Sequence, residues 1–139
     1  MNLVQIPPEN VDQVWPLITT QLSKAEERSG GSSIEADKDY IKKRMKQLWV
    51  VLIDTDEQKN KVVCAGITSL EKCPDGTQVM NIEMLGGDEM KYWFQLKDEL
   101  ETWAKSENRD KVRFWGRKAW LRKLPDYKIT HYLMEKELR

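Results

Sequence analysis

The segment from 81 to 127 constrains this chain most: it reads as strand, glycine pair, helix, strand, glycine–arginine, helix. Residues 81–85 are short and partly apolar, Gly86 and Gly87 break the run, and Asp88 is placed to cap a helix. Across 90–105 the apolar residues Trp93, Leu96, Leu100, Trp103 and Ala104 fall at helical spacing. That face is expected to bury against a sheet, with Lys97, Asp98, Glu101 and Lys105 in water. Residues 111–115 alternate like a strand, and Gly116-Arg117 opens a last short helix. Two strands that each feed a helix, joined by a crossover, make neighbouring parallel strands. A glycine-rich strand-to-helix turn also aims backbone N–H groups and the helix dipole at whatever lies before it. That is the physics of a phosphate site.

The rest of the chain supplies the sheet. Residues 3–6 read as a short strand closed by Pro7-Pro8. Asn10 then caps a helix whose one face carries Val11, Val14, Trp15, Ile18 and Leu22. Pro16 sits in its second turn, where proline removes a hydrogen bond, so a kink or a late start is expected. The glycine–serine run 30–33 is a loop, and 34–46 is a second helix with Ile34, Tyr40, Ile41 and Met45 apolar. The continuous apolar run 48–53 predicts a strand buried on both faces. A polar hairpin loop at 54–61 leads to a partner strand, 62–70, with Gly66 marking a bulge. The turn Cys73-Pro74-Asp75-Gly76 returns a third strand, 77–85. Residues 128–137 alternate Ile129, His131, Leu133 against Thr130, Tyr132, Met134 and read as a closing strand. The order β-α-α-β-β-β-α-β-α-β predicts a single α/β domain over 1–139, a mixed β-sheet with helices on both faces.

Bulk properties narrow the partners. Lysine and arginine total 23 and so do aspartate and glutamate, so no net field favours nucleic acid or an acidic membrane. No run approaches the roughly 20 apolar residues of a membrane helix. Cys64 and Cys73 have no metal-ligand spacing, and the N-terminus has no signal-peptide pattern. A cytoplasmic domain with reduced thiols and no metal is the expectation. Six tryptophans supply large, rigid core or cleft pieces.

The order of elements, the turn Met84-Leu85-Gly86-Gly87-Asp88 with its following helix, and Trp115-Gly116-Arg117 with Trp120-Leu121 resemble the Gcn5-related N-acetyltransferases (GNAT) across the whole chain. The small size, the Trp-Ala-Lys helix ending and the Gly-Arg-x-x-Trp element resemble small acetyltransferase-like proteins of tailed bacteriophages more narrowly. The resemblance implies an acyl-coenzyme A fold in which amides of the turn hold the pyrophosphate of acetyl-CoA, here at Leu85, Gly86 and Gly87, with Arg117 nearby. It implies a carboxylate near Glu83 as general base for an amine, directly or through water. It implies a tyrosine near Tyr127, with Tyr132 as fallback, as the acid that protonates the departing thiolate. The turn departs from the family's Arg/Gln-x-x-Gly-x-Gly/Ala: Asp88 and Glu89 stand where phosphates would bind, and carboxylates compete for the same dipole and donors.

Each candidate has a structural alternative. Gly86 and Gly87 serve equally as a strand end needing a left-handed turn. Glu83 is an outward strand residue if alternation runs the other way, and Tyr127 packs its ring at the core edge with its hydroxyl in water. Arg117 meets either an acidic ligand or an internal carboxylate. His131, on an alternating strand, reads as structural. The basic stretch 113–123, with Trp115 and Trp120 interleaved, reads as a solvated face before it reads as a single-stranded nucleic-acid surface. Two functions are therefore carried forward. One is an N-acetyltransferase acting on an amine-bearing small molecule or protein. The other is a non-catalytic phage protein that binds a phage or host partner, as a virion or DNA-ejection component or in host cytoplasm.

Overall fold

The computed structural model describes residues 2–26, 33–115 and 118–139. Strand β1 (Asn2–Ile6) leads through a 3-10 turn (Pro8–Asn10) into α1 (Val11–Glu26), and α2 (Ile34–Lys42) follows. Strands β2 (Gln47–Ile53), β3 (Lys61–Lys72) and β4 (Gln78–Gly87) precede α3 (Met90–Ser106), β5 (Lys111–Phe114) and a 3-10 helix, Lys118–Arg122. One sheet runs in the order β1-β2-β3-β4-β5, antiparallel except for the parallel pair β4 and β5. The antiparallel meander and the parallel crossover expected from the sequence are both present. Among the described residues no helix is long and apolar enough to cross a membrane.

Strand alternation splits the core into two layers. Leu48, Val50, Ala65, Ile67 and Met84 face α1 and α2, where Val11, Trp15, Ile18, Leu22 and Ile41 meet them. Trp49, Val51, Val63, Met80 and Ile82 face α3, where Leu96, Leu100 and Ala104 are buried. The run 48–53 thus serves both layers, as its unbroken apolarity required. Buried Thr68 joins the layers' polar ends: Trp49 Nε1 donates to its Oγ1 at 3.0 Å, and that hydroxyl donates to Gln47 Oε1 at 2.8 Å.

Several local expectations are corrected. α1 starts at Val11 and runs through Pro16, and Asn10 closes the 3-10 turn before it rather than standing outside as a cap. α2 stops at Lys42, four residues early: Arg44 turns left-handed at φ 65°, and the amide of Met45 bonds the carbonyl of Tyr40 at 2.9 Å. Gly66 is in regular register with Trp49 and Leu85, so it is not the bulge. A β-carbon there would stand 3.2 Å from Leu96 Cδ2, so Gly66 makes room for α3. The irregularities instead fall between Val51 and Leu52 and between Ile67 and Thr68. Lys97 does not face water: its side chain is 15% exposed, and it pairs with Asp98 and Glu101, both at 2.8 Å. Residues 128–139 form no strand; they lie exposed, and among the described residues they have no ladder partner. Alternation alone does not make a strand, because its hydrogen bonds come from a neighbour. The loop at 30–32 and the pair Gly116-Arg117 lie outside the described residues.

Candidate functional site

Parallel pairing of β4 with β5 covers only Val79–Ile82 against Lys111–Phe114. β4 continues to Gly87, still paired with β3, so among the described residues no strand lies beside its other edge from Glu83 onward. Two strands that part company in this way open a V. Glu83 stands at its apex. Ile67 faces Met84 and Thr68 faces Ile82, which leaves Glu83 as the extra residue of a β-bulge. A bulge re-aims the side chain it carries.

That side chain points to the α1/α2 layer. Glu83 Oε2 is 2.9 Å from Lys46 Nζ, and the same ammonium bonds buried Asp37, on α2. Tyr40 lends its ring face to Lys46 at 5.2 Å. Burial lowers the lysine's pKa, but the hydrogen bonds to Asp37 and Glu83 and their charges outweigh it, and the net shift is upward. Neither Lys46 nor Asp37 was singled out by sequence. Lys46 sits in a basic run that reads as a helix face, and nothing in its spacing announces the turn that folds it inward.

The far end of the V is the start of α3. Only Asp88 and Glu89 separate β4 from the helix, and Glu89, extended at its N-cap, makes no side-chain cap bond. Lys91 pairs with Glu89 at 3.2 Å, and Lys123 Nζ lies 2.8 Å from Met90 Sδ, which brings two cations to the first turn. Asp88 is not the cap; its Oδ1 accepts from Gln21 Nε2 at 3.4 Å.

The glycine pair serves packing. Neither glycine takes a positive φ, so the left-handed turn does not occur. The backbone of Gln21 on α1 fills the space a β-carbon on Gly86 would need, and Val63 O and Cys64 Sγ crowd Gly87 at 2.9 and 3.0 Å. The amide of Asp88 donates to Val63 O at 2.9 Å. Leu85 packs into the α3 layer. Arg117 lies outside the described residues. Of the groups that would hold acetyl-CoA, the open strand edge and the uncapped helix end fit, while the Asp88 amide is taken by Val63 O.

Tyr127 lies on the opposite side of the sheet from Glu83, against Phe114 with ring centroids 5.4 Å apart. Its hydroxyl donates to Glu101 Oε2 at 3.0 Å, and Lys97 lies 5.6 Å over its ring. Burial, then the Glu101 charge and hydrogen bond, push its pKa well up. With Phe94, Lys97, Lys123 and Leu124 it lines a cavity of about 350 Å³. Trp93 and Trp120 stack at 5.2 Å over the same end of α3. The structure therefore does not bring Glu83 and Tyr127 together. Tyr132 is 74% exposed, and His131 Nδ1 lies 2.9 Å from Thr130 Oγ1. In the basic stretch, Arg113 turns inward onto Cys73 Sγ at 2.9 Å, while Arg122 and Lys123 are exposed.

This mixed five-stranded sheet with a parted parallel pair is the GNAT fold. Solved structures with that fold superpose over nearly the whole chain. A predicted acetyltransferase with acetyl-CoA from Clostridium acetobutylicum matches at TM-score 0.67 and 11% identity, covering 99% of this chain and 96% of its own. A ribosomal-protein-alanine N-acetyltransferase from Brucella melitensis biovar Abortus 2308 matches at 0.66 and 12%, covering 98% and 100%. An aminoglycoside acetyltransferase from an uncultured soil metagenomic sample, in complex with sisomicin, matches at 0.66 and 13%, covering 98% and 96%. No protein-family model matches the sequence, and no curated protein matches it.

Proposed function

We propose that the chain is an acetyl-CoA-dependent N-acetyltransferase with a reduced pyrophosphate turn. One observation carries this reading: the V between β4 and β5 is open, with an uncapped helix end at its mouth and a carboxylate at its apex. Bound there, acetyl-CoA would supply a thioester carbonyl for attack by an amine. The β4 edge after Glu83 offers backbone groups to an extended ligand. The first turn of α3, with Lys91 and Lys123 beside it, offers donors and positive charge to a diphosphate. Glu83 is the base. Lys46 holds its carboxylate at the parting of the strands, so it meets an amine entering from the α1/α2 side. Tyr127 has its proton committed to Glu101, so its part is to wall the cavity beside α3. The acceptor is an amine-bearing small molecule or protein.

The closed glycine pair favours a second reading. Close packing accounts for Gly86 and Gly87, and the Asp88 amide is bonded to Val63 O, as in a GNAT-fold protein that binds a phage or host partner without catalysis. Thiol release from acetyl-CoA with a polyamine, an aminoglycoside and a peptide bearing a free α-amine separates the two. The first reading expects turnover that falls about 10²–10⁴-fold in Glu83→Gln. No release with any amine overturns it.

A further inference from the structure

We propose that the side-chain amine of Lys46 is itself an acceptor, and that the chain transfers one acetyl group from acetyl-CoA to its own Lys46. The proposal rests on the acetyltransferase reading above and adds a modification site to it. The turn after α2 builds that site. Arg44 takes a left-handed backbone at φ 65°, and the amides of Met45 and Lys46 both return to the carbonyl of Tyr40, at 2.9 and 3.3 Å. The chain reverses there: Met45 stays 58% exposed, while the side chain of Lys46 turns inward and is 19% exposed. Its amine ends 2.9 Å from Glu83 Oε2, at the apex of the V.

A general base must lie within hydrogen-bond reach of the proton it removes. Among the described residues Lys46 is the lysine that pairs with Glu83; Lys38 and Lys42 pair with Asp12, and Lys43 with Asp39. Lys46 therefore stands where an acceptor amine has to stand. Asp37 and the ring of Tyr40 hold it there, so no acceptor needs to be bound and oriented first. Glu83 takes one proton from the ammonium, and the freed lone pair attacks the thioester carbonyl of acetyl-CoA. The C–N bond forms and the C–S bond breaks. The nitrogen gives up its second proton as the coenzyme thiolate leaves and takes one up, and Lys46 is left as a neutral amide. An ammonium shared by two carboxylates yields its proton reluctantly, so the transfer is one slow event per chain, not turnover.

Mass spectrometry of the full chain incubated with acetyl-CoA and no added amine tests this, beside Glu83→Gln, Lys46→Arg and the urea-unfolded wild type. Thiol release with added amines, measured in parallel, reports the acetyltransferase reading separately. Circular dichroism checks that both variants fold. One acetyl group is expected on Lys46 of the wild type, ahead of the more exposed Lys43. Its rate should fall about 10²-fold or more in Glu83→Gln. Lys46→Arg keeps a cation between Asp37 and Glu83 and should lose that acetyl group. Thiol release with an added amine but no acetyl on Lys46 overturns this proposal and leaves the acetyltransferase reading standing. Neither release nor label overturns both. Labelling of Lys46 that is as fast in Glu83→Gln or in the unfolded chain is chemical acetylation, and it overturns the proposal too.

Discussion

The backbone carbonyl of Gln21 on α1 occupies the space that a β-carbon on Gly86 of β4 would need. The obstacle is main chain, so no rotamer change relieves it. Gly86→Ala should push α1 off the sheet and cost about 3 kcal/mol or more, beyond ordinary overpacking. Urea denaturation measures it. Unchanged stability would show that α1 lies further from β4 than described.

Lys46 is the common partner of Asp37 and Glu83. Asp37 is buried, and among the described residues its Oδ2 has no hydrogen-bond partner. Lys46→Met should then cost about 3–5 kcal/mol, since it strands a buried carboxylate. A loss below about 1 kcal/mol, the scale of a surface pair, would mean that water replaces the lysine.

Alkaline pH should act through the same group. The folded-state pKa values of Lys46, Lys97 and Tyr127 all lie above their ordinary values of 10.5, 10.5 and 10.0. A group whose pKa is raised by folding contributes stability fully below its unfolded value and loses it as pH rises through the folded one. The melting temperature should therefore hold to about pH 9 and fall beyond pH 10. Lys46→Met should flatten part of that fall. A melting temperature that rises between pH 10 and 11 would contradict the sign.

Much of this architecture is legible in the sequence, and the failures have physical causes. The meander and the α3 crossover follow from apolar runs and helical spacing that packing then satisfied. Leu96 and Leu100 are buried as their spacing required, and Leu100→Ala should cost about 2–5 kcal/mol by denaturation. Lys97 reads as solvent-facing because its charge hides the cover it takes from Tyr127, whose ring lies 5.6 Å from its ammonium. Gly86 and Gly87 read as a turn because close approach and left-handed backbone leave the same residue in a sequence. The bulge at Glu83 could not be seen, since register belongs to two strands together. Tyr127 follows the last helix as expected, but which face it joins depends on a path no spacing encodes.

Thiol chemistry gives an independent check on the α3 layer. Burial pushes the Cys64 thiol up to about 12, whereas Cys73 is part-exposed. A native titration with a disulfide reagent should therefore find one reactive thiol and a denatured one two. Two fast thiols in the native protein would mean that the layer over Cys64 opens.

Calorimetry with acetyl-CoA tests the central claim most directly. Asp88 and Glu89 stand between β4 and the uncapped end of α3. Each carboxylate near a helix N-terminus is worth about 0.3–1 kcal/mol against an incoming phosphate. Weak binding is expected for the wild type. Replacing both acids by serine should tighten it about 3- to 30-fold. Absence of binding in both proteins would contradict acetyl-CoA as the ligand of the V, and with it the acetyltransferase reading.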